Sequence, residues 1–205
     1  MNIIDMHCDT LYQIYNAKRE GRTFSMRDTA SLLVNALKMK AGGYLLQNFA
    51  AFVDIEEAKE VLGGEDAPYR YAKELVRIFK EQVAANSDLI RPAASFAELQ
   101  ANQEAGVASA MLTLEEGGIC LGDIEKLREF YQDGARMMTL TWNYENEIGY
   151  PAAMQKEGSS GYRRGEKRTY GLKETGIQFL SEMETLGMII DVSHLSDDGF
   201  FDVYE

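Results

Sequence analysis

Short apolar runs alternate with longer amphipathic ones along this chain. Residues 2–9, 45–53, 108–114, 137–142 and 188–193 are brief stretches of β-branched or apolar character, the kind that forms buried parallel strands. Between them the apolar residues recur at helical spacing. Ala72, Leu75, Val76, Phe79 and Val83 fall at i, i+3 and i+4 and predict one face of a helix. Asp66-Ala67-Pro68 opens that helix with an N-cap and an early proline. Ser95-Phe96-Ala97-Glu98 reads as a capping box, and Gly106 stops the helix it starts. Asp123 caps a further helix that ends near Gly134. Residues 173–186 predict another, with Gly187 just past its end, and Ser196 or Asp197 caps the next.

Strand–helix alternation of this kind predicts an α/β fold with a mainly parallel sheet and helices outside it. Two closures fit, an open doubly wound sheet and a (β/α)8 barrel. No glycine-rich dinucleotide or P-loop motif follows the first strand, which weakens the nucleotide-binding version. The polar candidates sit instead at the C-terminal ends of several strands, where barrel enzymes carry their chemistry. Residues 143–170 break the pattern: the segment is long, polar and rich in glycine and arginine. It follows the fourth expected strand, so it would lie over a barrel mouth, either covering a substrate or as a plain surface excursion. Its arginines Arg163, Arg164 and Arg168 could meet a substrate carboxylate, but a solvated loop explains them as well, and they are left out of the site.

With 205 residues and 45% hydrophobic content, the chain can bury one sizeable core and is expected to form a single domain over residues 1–205. A net charge of −12 without a dominant basic patch argues against a nucleic-acid partner. The two cysteines, Cys8 and Cys120, make no disulfide framework, so a reducing compartment is the simpler reading. The segment Met1-Asn2-Ile3-Ile4-Asp5 has neither a basic region nor a long apolar stretch, and no apolar run approaches membrane-spanning length. A soluble, cytoplasmic protein without a membrane partner is therefore expected.

The chain has only two histidines, His7 and His194. In a strand, residues i and i+2 share a face, so His7 and Asp9 would project together with Cys8 turned away. An imidazole beside a carboxylate suits a zinc-type ion, although a histidine hydrogen-bonded to a neighbouring aspartate is the alternative. Glu115-Glu116-Gly117-Gly118 ends the third expected strand, and its glycines leave room for a ligand, or it is a solvated turn. Ile189 through Ser193 delivers His194 to the end of the fifth, as a ligand or as a capping histidine. Three strand ends bringing histidine and carboxylate to one rim are harder to explain as capping than as a metal site.

These residues resemble the membrane dipeptidase (renal dipeptidase) family of zinc metallopeptidases, amidohydrolase-like barrels, across essentially the whole chain. Asp5-Met6-His7-Cys8-Asp9-Thr10 resembles the family's opening metal motif, and Glu116-Gly117-Gly118 its carboxylate-Gly-Gly segment. Thr139-Leu140-Thr141-Trp142-Asn143 is similar to its fourth-strand motif. Gly171-Leu172-Lys173-Glu174-Thr175-Gly176, continuing to Leu186-Gly187-Met188-Ile189-Ile190-Asp191-Val192-Ser193-His194, resembles its long signature around the fifth strand. The resemblance implies two Zn2+ ions, with His7 and Asp9 on one, Glu116 bridging both and His194 on the second. It further implies a hydroxide held between the metals that attacks the peptide carbonyl of a dipeptide. Substrates such as N-acyl amino acids or lactones are the alternative for a related amidohydrolase. Trp142 stands where many members carry a histidine that steadies the tetrahedral intermediate; indole donates one hydrogen bond but neither ionises nor accepts one. Members of the family continue through further strands that supply another metal-binding histidine and an acidic residue that handles protons. A complete barrel takes about 250 residues. The chain is therefore expected to be the N-terminal portion of a barrel, about five β/α units, lacking full activity as it stands, with an inactive truncated fragment as the alternative. Its open edges invite association, a homo-oligomer included.

Overall fold

Capping chemistry and parallel pairing together account for the element order. A computed structural model describes residues 2–155 and 169–205. The elements are β1 (Ile3–Asp5), α1 (Thr10–Arg19), α2 (Ala36–Gly42), β2 (Tyr44–Phe52), α3 (Ile55–Leu62), α4 (Ala67–Ala85), β3 (Ile90–Pro92), α5 (Phe96–Glu104), β4 (Ala108–Glu115), α6 (Ile124–Gln132), β5 (Ala135–Thr139), α7 (Glu174–Leu186), β6 (Ile189–Asp191) and α8 (Asp197–Tyr204), with short 3-10 turns at Gly117–Cys120 and Ala152–Met154. The strands form one sheet in the order β1-β2-β4-β5-β6, with β3 also paired to β4. The pairings β1–β2, β3–β4 and β5–β6 are parallel. Among the described residues no helix is long and apolar enough to cross a membrane.

The chain divides into two compact units. The first comprises Met1–Phe52, Ala72–Thr113 and Gly134–Arg136. In it the face of α4 expected from the spacing is the one that is buried: Ala72, Leu75, Val76, Phe79 and Val83. Phe79 packs on Phe49 of β2, ring centroids 6.1 Å apart. The Ser95 hydroxyl accepts from the Glu98 amide at 3.3 Å, and the Glu98 carboxylate takes the Ala94 amide at 2.7 Å, so the capping box reaches one residue further back than usual.

The second unit comprises Val53–Tyr71, Leu114–Asp133 and Met137–Glu205. Asp54 caps α3 through the amides of Glu56 and Glu57, Asp123 caps α6 through that of Glu125, and Ser196 caps α8 through that of Gly199. The left-handed Gly187 closes α7 (φ 69°), as its position in the sequence predicts. Gly176 in the first turns of α7 lies so close to the Ile148 carbonyl that a Cβ there would stand 2.2 Å from the oxygen. Arg128 of α6 grips Glu182 of α7 with two hydrogen bonds, at 2.7 and 2.9 Å.

Beyond shifts of a residue at an end, the strand reading is corrected at four places, one of them the fourth expected strand, which spans Ala135–Thr139 as β5 rather than residues 137–142. The first strand ends at Asp5 rather than continuing to residue 9, because Asp9 takes up the N-cap position of α1. The last ends at Asp191, before the turn that carries His194. A sixth strand, β3, is added; it is only three residues long, and its ladder with Ala108, Ser109 and Ala110 defines it.

Candidate metal centre

In the first unit, the segment after β1 brings His7 and Asp9 together. Asp5 Oδ1 accepts the His7 amide at 3.3 Å and holds the backbone as it leaves the strand. His7 Nε2 then lies 3.1 Å from Asp9 Oδ1. Strand alternation does not bring about this pairing, since neither residue is in the strand; the turn into α1 does. Both side chains are close to half exposed, while Cys8 between them is buried. Burial, with the carboxylates of Asp5 and Asp9 adding to it and hydrogen bonds from Thr10 opposing, pushes the Cys8 thiol up to about 12.

In the second unit, β4 ends on Glu115, whose carbonyl accepts the Val53 amide at 3.4 Å. Glu115 is 7% exposed, and its Oε1 lies 3.6 Å from His194 Nε2. His194 follows β6 in the left-handed region at φ 63°. Asp191 builds that turn: Thr139 Oγ1 donates to its Oδ2 at 2.6 Å and the Ser193 amide to its Oδ1 at 2.9 Å. Burial acts to raise the Asp191 carboxyl, but those donors and the nearby His194 outweigh it and hold it below the usual range. The His194 carbonyl accepts the Ala152 amide at 2.7 Å, and Leu195 bridges to Pro151, so the start of the long loop braces the turn. Asp198 of α8 accepts the Tyr170 amide at 3.1 Å and fixes the loop's return. Residues 156–168, with Arg163, Arg164 and Arg168, lie outside the described residues.

Glu116 is placed differently from its neighbour. It is fully buried, and its carboxylate accepts the Gly118 amide at 2.7 Å, the Trp142 amide at 2.8 Å and the Asn146 side-chain amide. The Trp142 ring meets the Tyr144 ring edge-on with centroids 5.8 Å apart, and is tilted over the His194 ring at 6.5 Å.

Each imidazole–carboxylate couple by itself suits a zinc-type ion. Two imidazoles, each with Nε2 facing a carboxylate oxygen, offer nitrogen and oxygen ligands of the borderline type zinc selects. Sequence places Glu115 in the acidic pair at this strand end, while the resemblance gives the ligand role to Glu116. β4 is buried on both faces, so alternation does not separate the two adjacent glutamates. Asp191 lies within the fifth-strand signature but had no role assigned to it, and Asn146 carries no motif; both shape their surroundings through hydrogen bonds.

Comparison with known proteins follows the same lines. The family model for membrane dipeptidase (Peptidase family M19) matches residues 1–205. An uncharacterized dipeptidase of Schizosaccharomyces pombe is 26% identical over 202 residues, 95% of this chain and 46% of that protein. An uncharacterized protein of Klebsiella pneumoniae is 29% identical over 126 residues, 61% of this chain and 44% of the other. The chain thus spans about half the length of the curated relatives it matches. Among solved structures, a dipeptidase described as a metallo peptidase superposes with a TM-score of 0.78 at 21% identity, covering 99% of this chain and 59% of its own. A metallo peptidase from Rhodobacter sphaeroides, liganded with a phosphinate mimic of the dipeptide L-Ala-D-Ala, gives 0.78 at 20% identity, covering 98% and 61%. The fold is the α/β, TIM-barrel type of these metallo-hydrolases, of which the described residues supply six strands.

Proposed function

The chain belongs to the membrane dipeptidase family, and from that premise we propose that the whole protein is a zinc-dependent dipeptidase with two metal ions at the strand ends described above. The observation that carries the reading is the pair of imidazole–carboxylate couples, His7 with Asp9 at 3.1 Å and His194 with Glu115 at 3.6 Å. His7, Asp9, Glu115 and His194 would hold the metals. Glu115 takes the carboxylate role that resemblance had assigned to Glu116, because the oxygens of Glu116 already serve three protein donors. When bound, zinc lowers the pKa of a water and polarises the scissile carbonyl.

The chain's own residues do the rest. Asp191 and Thr139 keep the turn of His194 in one conformation, and Asp5 does the same for the backbone of His7. Trp142 beside His194 can offer its indole N–H to an oxygen of the substrate, without taking a proton. A dipeptide as substrate is supported by the phosphinate mimic bound to the Rhodobacter sphaeroides metallo peptidase.

The test is zinc content and hydrolysis by the full-length protein, with Glu115→Ala, His7→Ala and His194→Ala. Each variant should lose at least one zinc and fall in kcat by about a hundredfold or more, a loss of the size expected when a metal's stabilisation of charge is removed. Unchanged zinc stoichiometry in Glu115→Ala would remove that residue from the ligand set. A panel of L,L and L,D dipeptides beside N-acyl amino acids and lactones tests the substrate, and hydrolysis confined to the last two would defeat the dipeptidase reading.

A further inference from the structure

Glu116 directly follows Glu115, and a continuing strand would turn its side chain to the other face. The strand stops instead. Glu116 has φ 91° and ψ 95°, a conformation rare for any residue with a side chain. Its carboxylate is curled back into the protein. Oε1 accepts the Gly118 amide at 2.7 Å together with Asn146 Nδ2, and Oε2 accepts the Trp142 amide at 2.8 Å. Asn146 also donates to the Leu140 carbonyl at 2.9 Å, and its Oδ1 accepts the amides of Ile148 at 2.8 Å and Gly149 at 3.1 Å. The surroundings leave no slack. A Cβ on Gly117 would lie 2.5 Å from Ile148 Cδ1 and 2.7 Å from the Leu140 carbonyl oxygen, and one on Gly118 would lie 2.7 Å from Ile55 Cδ1. The end of β4 and the segment 140–149 therefore form one hydrogen-bonded block with Glu116 at its centre.

We propose that Glu116 is a positioning residue that locks the segment carrying Trp142 onto the strand end carrying Glu115, and is not itself a metal ligand. Strain at one backbone position is compensated by three donors gathered from two separate stretches of chain. The lock sets the direction of the Glu115 carboxylate toward His194 and seats the indole beside the same imidazole. The inference rests on the reading of Glu115 and His194 as ligands, so its test separates the two.

Trp142 is the only tryptophan in the chain, and its amide is one of the three donors, so its fluorescence reports on the lock directly. Glu116→Gln keeps the shape of the side chain but turns one accepting oxygen into a donor, leaving at least one N–H facing another. In zinc-free protein, Glu116→Gln should shift Trp142 emission to the red and make it about twice as accessible to acrylamide. In a zinc titration, the dissociation constant should rise about tenfold or more, the usual effect of disturbing the groups that orient metal ligands. A folded Glu116→Gln protein with wild-type emission and wild-type zinc affinity overturns the proposal. So does a variant that loses a zinc while its zinc-free emission is unchanged, since that is the behaviour of a ligand. If Glu116→Gln does not fold, Asn146→Ser is read by the same criteria. A wild-type chain that takes up no zinc at all defeats the ligand reading alone, and the emission of the variant still decides the lock.

Discussion

Two identical side chains side by side, Glu115 and Glu116, have opposite fates, and the backbone decides between them. Glu115 still belongs to β4 and points its oxygen at His194, whereas the positive φ of Glu116 sends its carboxylate into the interior. Sequence alone does not reveal such a break, since a non-glycine residue with positive φ is held by contacts made elsewhere in the chain. What sequence did show was the scarcity of histidine, two in the whole chain; the fold then sets His7 beside Asp9 and His194 beside Glu115. The cysteines provide a test at the same scale. Burial pushes the Cys8 thiol up to about 12 and that of Cys120 further still, with Asp123 adding to the second. The thiolate is the reactive species, so at pH 8 neither should react with a thiol reagent in the native protein. An Ellman titration should find no fast thiol before denaturation and both afterwards. Fast reaction of Cys8 in native protein would show that the segment from His7 to Thr10 is not packed as described.

Among the elements, those with a hydrophobic period and a cap were readable, and those defined only by pairing were not. The face of α4, the Ser95 cap of α5, the Asp123 cap of α6 and the glycine stop of α7 all followed from side-chain chemistry within a few residues. β3 escaped because its three residues carry no period; Arg91 and Pro92 are exposed, and the ladder with β4 makes it a strand. The outer strands β1 and β6 were expected too long, since the run in each continues into a turn, the one carrying His7 and the other His194. Ion pairing of α4 offers a prediction. Glu74 is bonded by Arg77 one turn on and by Lys18 of α1 at 3.0 Å. The Arg77 guanidinium, with Lys18 assisting and partial burial opposing, holds its carboxyl down at about 2, against an ordinary 4.5. A carboxyl lowered on folding adds stability above its ordinary pKa and loses it as the pH falls toward the folded value. Stability should therefore decline between about pH 5 and pH 2 in part through this group. Glu74→Gln should flatten that limb of a plot of melting temperature against pH while lowering stability modestly at pH 7. An unchanged acid limb would show that the pair contributes nothing to the packing of α4 on α1.

Across the whole molecule the charge balance works against the exposed ion pairs. The net charge of −12 spreads repulsion over the surface, which favours expansion of the chain and is relieved by salt. Against it stand pairs such as Arg27–Asp88, Lys59–Glu56 and Arg70–Asp66, each with both partners substantially exposed. Exposed pairs contribute roughly 0–1 kcal/mol each and are screened by the same salt. The two effects have opposite signs, and their ranges decide between them. A contact pair at about 3 Å lies well inside the Debye length at any ordinary ionic strength, whereas repulsion among charges tens of ångströms apart is removed as that length falls from about 30 Å at 0.01 M to about 8 Å at 0.15 M. Salt should therefore stabilise the protein on balance. Over that range of sodium chloride the melting temperature of metal-free protein should rise by a few degrees, about the shift that 1 kcal/mol produces in a domain of this size. A dication bound by carboxylates neutralises part of the same excess, so zinc at about 100 times its dissociation constant should add about 2.7 kcal/mol by mass action. Part of that gain should diminish as salt is raised, because the bulk negative charge helps to draw the ion in. Melting temperature measured over a grid of zinc and sodium chloride concentrations checks both slopes. A fall with salt in the metal-free series would mean that the ion pairs, rather than the net charge, govern the stability of the fold.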